Sequence, residues 1–201
     1  RQGQFQHCVR RCQEVVMLPG VAPAEQAHAH YLLCLAFAHL GDPASATAGN
    51  RALSFYDDIG DQLGRANVLN NLGMNAYYRG NWVESVDFWS RSGEAREACG
   101  DIVGAATQTN NLGEIYSDQG RWDEARASFT EAIRIWEGAR YAVGIALASS
   151  NLGRVEARSE NHRDADKWLA RAVEGFESIG AAALALEAKI RVVENLLLEG
   201  N

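Results

Sequence analysis

The chain has 201 residues, of which 47% are hydrophobic and 22% are charged, a balance typical of a folded globular protein rather than a disordered one. Its 19 basic and 26 acidic residues give a net charge of −7, which argues against nucleic acid and anionic membranes as partners, because both attract a surplus of Lys and Arg. Apolar stretches such as 15–18 and 181–186 are far shorter than the roughly 20 residues that span a bilayer.

The predicted elements are all helices, since the chain has three prolines and many alanines, and its apolar residues recur at helical spacing. Glycines end most of these helices, and Asp61 and Asp101 follow such glycines as N-caps of the next helix. In chain order, the predicted helices span residues 4–17, 22–40, 43–58, 61–79, 82–98, 101–119, 122–138, 141–159, 162–178 and 181–199.

A period of forty residues organises these helices, since Asn70-Asn71-Leu72-Gly73 has counterparts at 110–113 and 150–153. Helix pairs of this length cannot bury their apolar faces alone, so they are expected to stack into a solenoid with one continuous core. The predicted units within 1–201 are a lone second helix in 1–20, helix pairs in 21–60, 61–100, 101–140 and 141–180, and a lone first helix in 181–201.

The repeated residues resemble the tetratricopeptide repeat, and the forty-residue period resembles the longer-helix subgroup in kinesin light chains, spindle-orientation adaptors and bacterial multidomain regulators. The resemblance implies an all-α fold, a right-handed α-solenoid of stacked antiparallel helix pairs. Besides Asn-Leu-Gly, four further features carry the resemblance. They are a tyrosine (Tyr77, Tyr116), the Trp of a Gly-x-Trp (Trp82, Trp122), a small residue (Ser85, Ala125, Ala165) and an aromatic residue (Trp89, Phe129).

Two further expectations concern packing. Glu160 stands where the other repeats end the first helix with glycine, and a residue with a side chain in a left-handed conformation costs about 1 kcal/mol. The five tryptophans are expected in the core rather than on a ligand platform, because second-helix positions are buried by repeat packing. These are Trp82, Trp89, Trp122, Trp136 and Trp168.

The four cysteines indicate a reducing compartment, because a chain of this length and apolarity folds without disulfides. Cys8 and Cys12 lie beside His7, but soft thiolate sites normally need four well-spaced ligands. No stretch supplies a recognised set of catalytic groups. We therefore predict a cytoplasmic protein that is not an enzyme and has no metal and no cofactor.

A polar stripe along the first helices is the strongest functional signal. Residues at i, i+3/4, i+7 and i+10/11 share one helical face. Asparagine is a mediocre helix former, yet it recurs at aligned positions there, and its amide offers both a donor and an acceptor to an extended peptide backbone. The predicted groove residues are Asn67, Asn70, Asn71, Met74, Tyr77, Tyr78, Thr107, Asn110, Asn111, Glu114, Ser117, Asp118, Ser150, Asn151, Arg154 and Arg158.

In the family that the chain resembles, first helices line a concave groove, and the asparagine before Leu-Gly commonly bonds the main chain of a bound peptide. The resemblance assigns this role to Asn71, Asn111 and Asn151. The alternative is that these asparagines form a buried ladder between neighbouring repeats.

These features predict a protein- or peptide-binding scaffold, the regulatory or interaction part of a larger bacterial signalling or transcription-regulating protein. The alternative is a homo-oligomerisation or intramolecular docking module that acts through exposed terminal helices. A solenoid normally ends in a polar cap. We expect the natural chain to continue at both ends, or another subunit to cover its end as in a homodimer, because the last helix carries Ile190, Val193, Leu196, Leu197 and Leu198.

Overall fold

Ten α-helices follow one another through residues 2–200, with no strand in that range, in a computed structural model of the chain. Arg1 and Asn201, the end residues of the predicted array, lie outside the described residues. Each predicted helix bound agrees with the observed one within two residues. The helices are α1 (Gln2–Met17), α2 (Pro23–Leu40), α3 (Ala44–Ile59), α4 (Gln62–Tyr78), α5 (Trp82–Ala98), α6 (Ile102–Asp118), α7 (Trp122–Gly138), α8 (Ala142–Arg158), α9 (His162–Ser178) and α10 (Ala182–Glu199).

The chain divides into two compact units, one ending at Asp101 and one beginning at Ile102. Within the first unit each helix packs against the next, and α2 also contacts α4. Within the second unit the same order holds, and α8 also contacts α6 and α10. This packing of successive helix pairs confirms the predicted all-α solenoid class, whereas one core running through both units stays a prediction. Between residues 2 and 200, no helix combines the length and the apolarity needed to cross a membrane.

The turns between helices are short because one residue in a left-handed conformation closes each helix. Glycine fills this position in most turns, with φ of 74° at Gly80 and 72° at Gly120. At Asp61 the predicted N-cap is present, since its Oδ1 accepts from the backbone N of Gly64 at 2.8 Å. Glu160 adopts the predicted left-handed conformation with φ 65°, and Arg140, which sequence reasoning missed, does so with φ 55°.

The two helices of a pair approach closely where a glycine of the first helix faces a large side chain of the second. A Cβ atom added at Gly73 would lie 2.6 Å from Cδ1 of Trp89, and one added at Gly153 would lie 2.6 Å from Cγ of Leu169. Real Cβ atoms do not approach other atoms so closely, so these positions require glycine. The Gly in the repeated Asn-Leu-Gly motif therefore sets the distance between the paired helices.

The first repeat reverses this arrangement of sizes. Ser45 and Ser85 donate at 2.9 Å to the carbonyl oxygens of Cys34 and Gly73, so Cys34 occupies the position of the first-helix glycine. The facing residue of the second helix is Gly49, where an added Cβ would lie 3.2 Å from Sγ of Cys34. The large residue lies on one helix and the small one on the other, so the helices still approach closely.

The tryptophans are buried to different degrees. Trp89 and Trp136 are buried, and Trp122 and Trp168 are half-buried against the core of the second unit. The expectation that all five lie in the core is wrong for Trp82, which is 36% exposed. It is the first residue of α5, so part of its ring extends past the turn.

Candidate binding cleft in the second unit

A cleft of about 360 Å³ in the second unit is lined mainly by the first helices α6, α8 and α10. These helices present polar side chains on one side, while Tyr141, Leu147 and Leu184 supply apolar surface. The cleft brings together part of the predicted stripe, namely Thr107, Asn110, Asn111, Glu114, Ser150, Asn151 and Arg154.

A ladder of hydrogen bonds joins the three first helices inside this cleft. The side-chain amide of Asn151 donates to Oε1 of Glu114 at 3.1 Å and to Oδ1 of Asn110 at 3.4 Å. Its own Oδ1 accepts from Nη1 of Arg191 at 3.3 Å, and Arg191 also donates to Oγ of Ser150 at 2.8 Å. These contacts have the form of the inter-repeat ladder, so Asn151 is occupied by neighbouring helices.

Burial changes the pKa values of two ionisable side chains in the cleft. Burial raises the pKa of Glu114 above its usual range, although nearby Arg154 and the hydrogen bonds from Asn151 and Asn110 oppose that rise. Burial also lowers the pKa of Arg191, which forms an ion pair with Glu187 at 2.8 Å. The cleft therefore holds two carboxyl groups and two guanidinium groups in a partly desolvated setting.

Two polar side chains of the cleft retain capacity for a ligand. Among residues 2–200, neither the guanidinium of Arg154 nor the side-chain amide of Asn111 has a hydrogen-bond partner, and Nε of Arg154 is buried. Thr107 bonds the carbonyl of its own helix at Val103, at 3.4 Å. A buried guanidinium nitrogen without an acceptor is unfavourable, so an acceptor that entered the cleft would be stabilised there.

The stripe residues of α4 belong to the first unit and do not line this cleft. Asn71 donates to Oη of Tyr31 at 3.2 Å and to the carbonyl of Asn67 at 2.8 Å. Oδ1 of Asn67 accepts from Nη2 of Arg96 at 2.8 Å. The backbone carbonyl of Asn70 accepts from Nε1 of Trp89 at 3.1 Å. Most of these polar groups thus serve contacts inside the unit.

The larger side chains of the same stripe are more accessible. Met74 and Tyr78 are exposed. Tyr77 is half-buried, and its ring lies 5.7 Å from the rings of both Tyr78 and Trp89. This part of the stripe offers apolar surface rather than free amides.

Three predicted residues of the second unit lie outside the cleft. Ser117 is buried, whereas Asp118 and Arg158 are exposed. Conversely, Arg191 and Glu187 line the cleft but were not among the predicted groove residues. Arg191 follows Asn151 by forty residues, so the repeat period carried the signal that would have found it.

No three His, Cys, Asp or Glu side chains between residues 2 and 200 come together in a way that could hold a metal ion.

Comparison with known proteins matches part of the chain to a family. Residues 105–178 match the family model of the tetratricopeptide repeat. This match and the stacked helix pairs support a tetratricopeptide repeat protein. No curated protein matches the sequence.

Solved structures support the fold over nearly the whole chain. The apo form of RapI gives a TM-score of 0.82 at 15% identity, over 90% of this chain and 66% of that one. A second similar structure is a Signal Transduction ATPase with Numerous Domains from Pyrococcus horikoshii, which has a tetratricopeptide repeat sensor. Its TM-score is 0.84 at 16% identity, and the match covers 94% of this chain and 30% of that one. BtubC (BKLC) from P. vanneervenii has a TM-score of 0.71 at 15% identity, and the match covers 99% of this chain and 89% of that one. The chain thus spans less than two thirds of the first two proteins.

Proposed function

We propose that this chain is a non-enzymatic scaffold that binds an extended segment of a partner protein in the cleft of the second unit. The observation that carries this proposal is Arg154, whose guanidinium lines the cleft without a hydrogen-bond partner among the described residues. Tetratricopeptide repeats form a scaffold fold, and function depends on sites built on such a scaffold rather than on the fold itself.

The cleft residues suit a peptide main chain with an acceptor group. The amide of Asn111 can donate to a peptide carbonyl and accept from a peptide N–H. Arg154 can donate to a second carbonyl or to a carboxylate, which forms a stronger, charge-assisted bond. Exposed Tyr141 and Leu147 provide apolar surface for a side chain of the ligand.

The ladder supports this function indirectly. Asn110, Asn151 and Arg191 hold α6, α8 and α10 together through bonds of 2.8–3.4 Å. A site whose walls are fixed before binding loses less entropy when the ligand arrives. In this proposal the ladder and the groove are compatible, because the ladder positions the walls while Asn111 and Arg154 contact the ligand.

The setting of this site is part of the same proposal. We infer that the chain is the regulatory or interaction part of a larger bacterial signalling or transcription-regulating protein in the cytoplasm. The signalling role within a larger protein is supported by the Signal Transduction ATPase of Pyrococcus horikoshii, which carries a tetratricopeptide repeat sensor and of which this chain spans 30%.

A selection from a random peptide library, followed by calorimetry on the selected peptides, tests the cleft. We expect Arg154→Ala and Asn111→Ala each to weaken binding about tenfold or more, since each removes a direct contact. Arg158→Ala is the matched control, because Arg158 lies on the same helix, is exposed and lies outside the cleft. Peptides that bind all three variants and the unmodified chain equally would refute the site.

The stripe of α4 is tested in the same assay. Met74→Ala and Tyr78→Ala remove exposed apolar surface in the first unit. If the groove includes this stripe, selected peptides lose affinity for these variants while the thermal melting curves stay unchanged. Unchanged affinity would confine the ligand to the second unit.

A further inference from the structure

A row of large apolar side chains runs along α10 on the side away from the rest of the second unit. Leu186, Ile190, Val193 and Leu197 are between 51% and 70% exposed. The buried residues of α10 are Ala185, Ala188 and Asn195, which lie on the opposite face of the helix. The four apolar residues follow one another at steps of four, three and four, which places them in one line along a helix.

The first helices α4, α6 and α8 carry a small residue at two positions of this row, those of Leu186 and Val193, where a second helix packs on them. Ala146 lies against α9, where a Cβ added to Gly175 would be 2.9 Å from the Cβ of Ala146. Leu186 follows Ala146 by forty residues, and Val193 follows the close-packed Gly153 by forty. A further helix packed in the same register as α9 would therefore overlap with the side chains of Leu186 and Val193.

The first repeat shows that a small residue is required at the position of Ala146. It tolerates Cys34 at the glycine position because Gly49 faces it, yet it keeps an alanine, Ala27, at the position of Ala146. Alanine at that position is fully or almost fully buried in every helix pair, at Ala27, Ala66, Ala106 and Ala146. Leucine appears there in α10 alone among these first helices.

We propose that α10 ends the regular repeat packing and pairs instead with α10 of a second copy of this chain. Steps of four and three residues repeat every seven, which is the spacing of a two-stranded coiled coil. With Ile190 and Leu197 at the a positions and Leu186 and Val193 at d, the apolar row becomes the seam between the two helices.

The flanking charges favour a parallel pair. Lys189 and Glu194 lie on opposite sides of the seam, at positions g and e. In a parallel pair, Lys189 of each chain faces Glu194 of the other, so two opposite-charge contacts form. In an antiparallel pair, the e positions face each other, which brings Glu187 and Glu194 together and is unfavourable. Lys189 contacts Glu177 at 2.6 Å, but both side chains are about half exposed and such a pair exchanges easily.

Light scattering on this chain, from about 1 to about 100 µM, the range in which small interfaces associate, tests the pairing. We expect a concentration-dependent dimer that Val193→Glu converts to a monomer. The matched control is Val83→Glu, because Val83 is also exposed but lies on α5. A monomer at all concentrations, or a dimer that survives Val193→Glu, would overturn the proposal.

A charge exchange tests the orientation. Lys189→Glu and Glu194→Lys should each raise the dimer dissociation constant by about tenfold, and the double variant should recover most of the loss, because the charges then match again. A double variant weaker than both single variants would overturn the parallel arrangement. Peptide binding in the cleft should be unaffected by Val193→Glu, so the failure of one proposal is distinguishable from the failure of the other.

Discussion

The backbone of Gly113 lies directly against the ring of Phe129, so that a Cβ atom added at Gly113 would be 2.8 Å from Cε1 of the ring. Phe129 is fully buried in the core of the second unit. We therefore expect Gly113→Ala to lower the free energy of unfolding by about 1–3 kcal/mol, despite the better helix propensity of alanine. Urea denaturation followed by circular dichroism measures this change.

The control for this prediction is Gly138→Ala, because Gly138 ends α7 and has no atom within 4 Å of an added Cβ. Alanine should leave stability unchanged there or raise it by up to about 1 kcal/mol. Equal effects at Gly113 and Gly138 would contradict the close approach to Phe129.

Glu160 offers a stabilising substitution. It holds a φ of 65° at the end of α8, a conformation that glycine adopts without penalty. Glu160→Gly should raise the free energy of unfolding by about 1 kcal/mol. The reverse change at the matching turn, Gly120→Ala, should lower it by a similar amount, since Gly120 has a φ of 72°. Thermal and urea melts of both variants check the pair, and a destabilised Glu160→Gly variant would show that the side chain is needed.

Arg126 links α7 to α8 through a two-pronged ion pair. Its Nε contacts Oε1 of Glu156 at 2.8 Å, and its Nη2 contacts Oε2 at 3.2 Å. The side chain of Glu156 is 9% exposed, so removing its partner leaves a carboxylate with little water. We expect Arg126→Ala to lower stability by about 2 kcal/mol, less than for a fully buried pair because Arg126 is partly exposed.

An exposed pair provides the comparison. Arg134 contacts Glu131 at 2.7 Å on the surface of α7. Arg134→Ala should change the free energy of unfolding by less than about 0.5 kcal/mol. The same denaturation experiment measures both variants, and losses of equal size would mean that burial of Glu156 is unimportant.

Glu114 makes stability depend on pH in an unusual direction. Its pKa is raised above the ordinary value of 4.5, mainly by burial, so the folded chain holds this proton more tightly than the unfolded chain. The stability due to this proton is fully present below pH 4.5 and is lost as pH rises through the folded-state pKa. Glu114→Gln removes the titration, so the stability of this variant relative to the original chain should increase from pH 4 to pH 7.

Glu131 serves as the control with the opposite sign. A hydrogen bond from Arg134 lowers the pKa of Glu131, so its stabilising effect is present at neutral pH and is lost as pH falls. Chemical denaturation at several pH values measures both variants. The stability of Glu131→Gln relative to the original chain should decrease weakly from pH 4 to pH 7, opposite to the change for Glu114→Gln. A Glu114→Gln difference that stays constant with pH would contradict the raised pKa.

Much of this fold was accessible from sequence because a period of forty residues repeats both the apolar spacing and the turns. Glu160 was identified in the same way, as a break in a series of glycines. The environment of Asn151 was not accessible, since its bonds depend on which side chains of α6 and α10 come within reach. Asn111 has the same aligned position but no such bond. The repeat pattern alone could not show which of the two asparagines is bonded to neighbouring helices.

The exchange of sizes between Cys34 and Gly49 in the first repeat has a consequence for how such an array can change during evolution. A second helix with a large residue, like α5 with Trp89, fits a first helix with glycine and would overlap with Cys34. The two helices of the first repeat must therefore be inherited together. Duplication or recombination with breakpoints between repeats preserves this matched pair, whereas exchange of one helix between the first repeat and a later one would combine two large residues or two small ones.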